Sequence, residues 1–444
     1  MNLLSVLAVT ALFMHLQPLL PGGAVALGAG QDDPEVRVSP LAPYLPTLLK
    51  TTRVLPNTEL RALWVVRDAL ASPRSVERMI DFAKQARIHL IFLQVRGRGD
   101  AFYRSSLVPP GAELEASIDE FDPLARTLVL ARQAGISVHA WVNVYYVWSN
   151  PGKAPPPGHV LSRHPEWALS DGAGTPMIER RVQWWQQEGI EGYYLSPAIR
   201  GVRQHLLDVV AEILSNYSVD GIHLDYVRYP GRDWGLDAAG RTDFALRWGV
   251  DPVRLRLERG VIEAGIGARA VSAMDSLYIE SRVAAIDSLV LGIRALAGDL
   301  PLSAAVAPDP EMARYDKGQG WLRWVHRRWM DFVVPMMYND RPADARDRVR
   351  ILHNAIGHDR LLAGLALHDG RHLYLPRLIT ALREEYTLGY ALFSYNVMAD
   401  MRFPVRMIEE AFAVEGDPVE DIEETAPERG IEEETPDETG GDGR

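Results

Sequence analysis

Between residues 61 and 412 the chain alternates two kinds of pattern. Short, nearly unbroken apolar runs stand at 61–68, 89–95, 137–145, 221–227, 302–307, 331–337, 361–367 and 390–395. Runs of this length with no polar face suit parallel strands covered on both sides. Between them apolar residues recur at helical spacing, as at Leu206, Val209, Val210, Ile213 and Leu214 within 199–217. Ser72 with Pro73 opens a helix to 87, and Asp122 with Pro123 opens another that stops at Gly135, as capping chemistry requires. Further helices are expected at 282–297, 321–328, 343–356, 375–386 and 405–412.

Eight strands with helices between them predict an α/β protein with a (β/α)8 architecture, a TIM barrel. An open doubly wound sheet is the competing arrangement, but it opens on a Gly-rich first turn that this chain lacks. The segment 231–280 is too long for a plain loop and is expected to be a lid inserted after strand four. These elements place a barrel domain at 58–413.

Composition refines the two ends. The chain has 444 residues, 47% apolar and 24% charged, in the range of a globular protein. Its formal charge of −12 is concentrated in the last 30 residues, where 13 carboxylates face only Arg429 and Arg444 and account for −11. A segment of Glu, Asp, Pro, Gly and Thr cannot bury enough apolar surface to order itself, so 414–444 is expected to be a disordered acidic tail. The body is therefore close to neutral, which argues against a nucleic-acid partner. Residues 3–20 form an apolar run broken by His15 and Gln17, followed by small residues ending in Ala24, Val25 and Ala26. That pattern predicts a signal peptide over 1–30, although no Lys or Arg precedes it, and places the mature protein outside the cytoplasm, secreted or periplasmic, with no membrane span after processing. Residues 31–57 are then an N-terminal extension. The absence of cysteine excludes disulfides, thiolate metal sites and a cysteine nucleophile. No histidine pair at helical metal spacing accompanies a carboxylate, and neither a metal nor a cofactor is expected.

In a TIM barrel, chemistry gathers at the C-terminal ends of the strands. Those ends carry Asp68; Arg96 and Asp100; Asn143, Tyr145 and Trp148; Asp225 and Arg228; Asp309 and Glu311; Tyr338 and Asp340; His368 and Asp369; and Tyr395 with Asn396. Aromatic rings stack on the C–H faces of sugars while carboxylates, Asn and Arg bind their hydroxyls, so the expected partner is a polysaccharide or oligosaccharide. Glycoside hydrolysis needs two carboxyl groups in complementary roles. Asp225, an acid at the exit of an apolar strand, is the expected nucleophile or base. For the acid, Glu311 and Asp340 lead, ahead of Asp309 and Asp369. Arg96, Asp100, Asn143, Tyr145, Arg228, Tyr338, Asp369 and Tyr395 are expected to hold the sugar, with Trp148 stacking at the rim. A glycan-binding barrel without catalysis is the alternative.

The stretch from Asp220 to Pro230 (DGIHLDYVRYP), with Trp64, 94–96 (QVR), 138–143 (VHAWVN), 164–167 (HPEW), 195–197 (LSP) and 332–338 (FVVPMMY), resembles the bacterial glycosyl-hydrolase-like family ten over roughly 60–400. The resemblance implies a secreted or envelope-attached barrel acting on glycosidic bonds, with peptidoglycan glycan strands among the implied substrates. Members often carry a second carboxylate after the first, where Tyr226 stands here. Many carry Gln-Asp-Trp where this chain has 318–321 (GQGW). The partner of Asp225 is thus left open.

Overall fold

The computed structural model describes residues 59–412 except 150–152, 182–186, 339, 386 and 401–404. The expected leader, N-terminal extension and acidic tail lie outside the described residues.

Ten strands are present among the described residues: β1 (Leu60–Val65), β2 (Leu90–Arg96), β3 (Ser137–Asn143), β4 (Tyr146–Trp148), β5 (Tyr193–Tyr194), β6 (Gly221–Asp225), β7 (Leu302–Val306), β8 (Phe332–Pro335), β9 (Leu362–Ala366) and β10 (Gly389–Phe393). Eight of them form one parallel sheet in the order β8-β7-β6-β3-β2-β1-β10-β9. Bridges Val333–Leu361 and Met336–Gly364 join its two edges, and Met337 donates to the Gly364 carbonyl at 2.9 Å. The (β/α)8 barrel expected from the apolar runs is therefore the fold, each strand lying inside the run that announced it to within a residue or two.

Alternate residues fill the two sides of the barrel wall. Trp64, Phe92, Trp141, Phe332, Val334 and Leu362 meet inside, whereas Leu63, Ile91, Leu93, Val142 and Leu365 join the layer beneath the helices. The interior also holds polar rings. His223 lies parallel to Phe92 at 3.9 Å between centroids, accepts from the Trp64 indole at 3.0 Å, and turns its other nitrogen to Ser303 Oγ at 2.9 Å. With both nitrogens used, the buried imidazole needs no charge.

The outer layer includes α1 (Pro73–Gln85), α2 (Pro123–Ala134), α3 (Arg200–Asn216) and, after the insertion, the C-terminal part of α7 (Ala268–Ala297). The inserted segment after β6 is helical: α4 (Ala238–Trp248), α5 (Pro252–Leu257) and α6 (Arg259–Ile266) lead into α7. It is tied to the segment preceding α3 by Gly235 N–H to Ser170 O at 2.9 Å and Ser196 Oγ to Asp237 Oδ2 at 2.6 Å. Beyond α7 come α8 (Pro310–Lys317), α9 (Trp321–His326), α10 (Pro342–Ile356), α11 (Leu375–Arg383), α12 (Tyr395–Asp400) and α13 (Val405–Phe412). Helix α8 was not anticipated. Asp309 accepts from Met312 N–H at 2.9 Å and Pro310 follows it, an N-cap that turns the expected loop around Glu311 into helix.

The other departure is β4 and β5, an antiparallel pair outside the barrel. They bracket the long excursion between β3 and α3 and form a strap beside the end of β6. Strands this short carry no periodic signal.

Candidate active site

Asp225 owes its position to the residues before it. Gly221 starts β6 with no side chain because the ring of His139 occupies the space, 2.5 Å from where a Cβ would lie. His223 and Asp225 then follow on the inward face, two residues apart. At Asp225 the strand ends: Tyr226 adopts φ 50°, and its N–H turns back to Asp225 Oδ1 at 2.6 Å. Asn143 stands opposite Asp225 in the β3–β6 ladder. Asp225 is only 7% exposed. Burial pushes its carboxyl pKa up, and the charge of Glu191 adds to that; Arg228, the Tyr226 N–H and the Trp141 indole oppose it without cancelling it.

Arg228 and a group of tyrosines surround this carboxyl. The guanidinium lies 3.8 Å from Asp225 Oδ1 and 4.5 Å from the centroid of Tyr226. Burial would weaken its charge, but Tyr194, Asp225, Tyr226 and Glu191 outweigh that, and its pKa is raised. Tyr226 stacks on Tyr146 at 4.6 Å and meets the edge of Tyr194 at 6.0 Å. Tyr194 donates to Glu191 Oε2 at 3.0 Å, while Tyr146 donates to the Glu191 carbonyl at 3.5 Å. Across the mouth, Tyr338 stacks on Phe393 at 5.4 Å. Its phenol is held well above the ordinary value by burial, with the charge of Asp225 adding to the effect.

Of the residues put forward from sequence, Asp225, Arg228 and Tyr338 come together here, with Asn143 beside them. Asn143 accepts from the Trp141 indole at 2.8 Å and donates to Gly97 O at 2.9 Å, so it braces the strand ends. The others are not gathered into this cluster. Arg96 is fully buried in the wall; it donates to the carbonyls of Asn143 and Val144, and burial lowers its pKa to about 10. Asp100 accepts from the N–H groups of Gly97 at 3.3 Å and Arg98 at 2.7 Å, shaping its own loop. Tyr145 is buried among apolar side chains. Trp148 is half-buried on β4, its indole bonded to Lys153 O at 2.8 Å. Asp340 is bound by Arg348 at 2.7 Å. Glu311 is exposed in the first turn of α8, on a separate crevice with Arg314, Arg323 and His326. Asp369 is exposed and paired with His368 at 2.9 Å, and Tyr395 packs against Phe82 of α1 at 5.4 Å.

Sequence reasoning missed Tyr146, Tyr194, Tyr226 and Glu191. The one local signal was Gly192 between Glu191 and two tyrosines: a Cβ there would fall 1.8 Å from the Trp148 carbonyl, so the strap closes only with glycine.

The model of the family Glycosyl hydrolase-like 10 matches residues 59–355, from β1 through α10. The chain belongs to this family. Among its relatives, the glycosyl hydrolase DigH of Escherichia coli K12 is 26% identical over 241 residues, covering 46% of this chain and 53% of DigH. The glycosyl hydrolase YngK of Bacillus subtilis is 22% identical over 205 residues, 42% of this chain and 37% of YngK. The matches thus span about half or less of those relatives' lengths. In fold, the chain is similar to the glycoside hydrolase domain of PgaB (BpsB) from Bordetella bronchiseptica, with TM-score 0.60 at 16% identity over 80% of this chain and 99% of that domain. It is also similar to a β-galactosidase from G. stearothermophilus, with TM-score 0.53 at 11% identity over 81% of this chain and 57% of that one.

Proposed function

We propose that this chain is a glycoside hydrolase acting outside the cytoplasm on a polymeric glycan, with peptidoglycan glycan strands as the first substrate to test. The observation that carries this reading is Asp225: a carboxyl 7% exposed at the C-terminal end of a barrel strand, pushed toward its protonated form by burial, among Arg228, Tyr226 and Tyr338. A carboxyl whose pKa burial raises holds its proton more readily and can deliver it to a departing sugar oxygen, the acid's role in place of the nucleophile's or base's expected from the sequence. The adjacent aromatic rings supply the apolar faces on which sugar rings stack. Membership of Glycosyl hydrolase-like 10 and the names of its relatives support the same reaction class.

Asp340 and Glu311, put forward from sequence as partners, are placed elsewhere: Asp340 is paired with Arg348 at 2.7 Å, and Glu311 is exposed in the first turn of α8. That observation favours a second reading, a glycan-binding barrel without catalysis. The two are separated by incubating purified protein with peptide-free peptidoglycan strands, chitin oligomers and α- and β-glucan oligomers, alongside Asp225→Asn. Hydrolysis predicts reducing ends from one polymer with the wild type and none with the variant. Retained affinity with no release by either protein establishes the binding reading instead.

A further inference from the structure

We infer that Glu191, carried by the strap and not by a barrel strand, is the second carboxyl of the site and acts as the general base opposite Asp225. This rests on the hydrolase reading above and supplies the partner that reading lacks.

Glu191 is fixed from two sides. Its carboxylate accepts from Tyr194 at 3.0 Å, and its main-chain carbonyl accepts from Tyr146 at 3.5 Å. Both phenols stand on the β4–β5 pair, and both rings contact Tyr226, at 4.6 and 6.0 Å. Tyr226 directly follows Asp225, and the Arg228 guanidinium spans from the face of Tyr226 to the Asp225 carboxylate. The two carboxyls are thus joined through one continuous cluster of three tyrosines and an arginine. Their environments differ: Asp225 is enclosed, whereas Glu191 is exposed. The charge of Glu191 acts on the Asp225 carboxyl, on Arg228 and on Lys317, which shows that the cluster is coupled electrostatically as well as sterically. Unequal environments are what separate an acid from a base in a carboxyl pair.

Asp225 gives its proton to the glycosidic oxygen as the bond from that oxygen to the anomeric carbon breaks. A water approaching from the open side gives a proton to Glu191 while its oxygen bonds to the anomeric carbon. One water is consumed, two sugar hydroxyls form, and the carboxyls exchange a proton with solvent to reset. Attack by water predicts inversion at the anomeric carbon.

The test uses the full chain on whichever oligomer of the above panel the wild type cleaves. Glu191→Gln should lower kcat by about 100-fold or more, with KM changed by less than about threefold, as expected for a group acting in the transition state. It should also remove the acidic limb of the pH–rate profile. Glu188→Gln, an exposed carboxylate on the same strap, should match the wild type. NMR of the first-formed product should show the inverted anomer. Cleavage by the wild type with Glu191→Gln equally active, or with a retained anomer, overturns the assignment of Glu191 and leaves the hydrolase reading standing. No cleavage of any polymer by the wild type overturns both.

Discussion

Asn143 and Asp225 face each other across the β3–β6 ladder, and Val144 N–H donates to the Asp225 carbonyl at 2.8 Å. Asp225 is therefore held by the neighbouring strand through its backbone, while the Asn143 amide ties that strand to Trp141 and Gly97. Asn143→Ala would leave the Gly97 carbonyl without its partner and take the Asn143 acceptor from the Trp141 indole. Leaving such buried groups unpaired costs about 1–3 kcal/mol. A lower urea midpoint with an unchanged m-value is expected. A midpoint equal to that of the wild type would show that the amide does not brace the strand ends.

Asp225 itself should reduce stability at neutral pH. Its folded-state pKa is raised above the unfolded value, by burial first and Glu191 second. The native state therefore holds the proton more tightly than the unfolded chain does. The stabilisation is complete below the unfolded pKa, about 3.9, and is lost as pH rises through the folded value. Asp225→Asn, neutral at every pH, should raise the thermal midpoint at pH 7 by a few degrees, about 1–3 °C. That advantage should shrink when scanning calorimetry is repeated near pH 4. An advantage that grew on acidification would mean that the folded state lowers the Asp225 pKa instead of raising it.

The Gly221 position is set by the ring of His139. A methyl group there would meet that ring at 2.5 Å, inside a wall where both residues are buried. Gly221→Ala should be destabilising by about 1–3 kcal/mol, the usual cost of overpacking. Chemical denaturation reads it directly, and pairing it with His139→Ala should recover part of the loss, because the clash partner is gone.

The end of the barrel predicts a sharp boundary for truncation. Phe412 is 2% exposed, stacks under Arg61 at 4.4 Å, and its carbonyl accepts from Arg383 at 2.9 Å. Removing residues from 405 onward should lower the thermal midpoint by several degrees, about 5 °C or more for a lost docking helix. Removing only 414–444 should leave midpoint and glycan release unchanged. A loss of activity with the shorter deletion would give the acidic tail a functional role.

The barrel was legible because its signals are local. Strands covered on both faces must be apolar throughout, and Ser72, Asp122 and Pro123 mark helix starts through groups a few residues away. Helix α8 is too short for an apolar period to announce it, and Asp309, at the end of a strand run, serves as its N-cap. Arg96 and Tyr145, expected to hold the sugar, are almost entirely buried. Sequence places a residue at a strand end but does not give the face it occupies once a strand slips, and β2 has a register shift between Gln94 and Arg96.

The (β/α)8 barrel and the place of Asp225 at a strand end can be read from the chain alone, since periodicity, capping and an acid at the end of an apolar run are properties of neighbouring residues. Which groups surround that acid depends on packing between distant elements. Glu191, Tyr194 and Tyr146 reach it through a strap with no periodic pattern of its own, whereas Asp340 is drawn to Arg348 and Glu311 to the outer turn of α8. Local spacing encodes elements; the distance between two carboxyls depends on how separate elements pack, which no local pattern records.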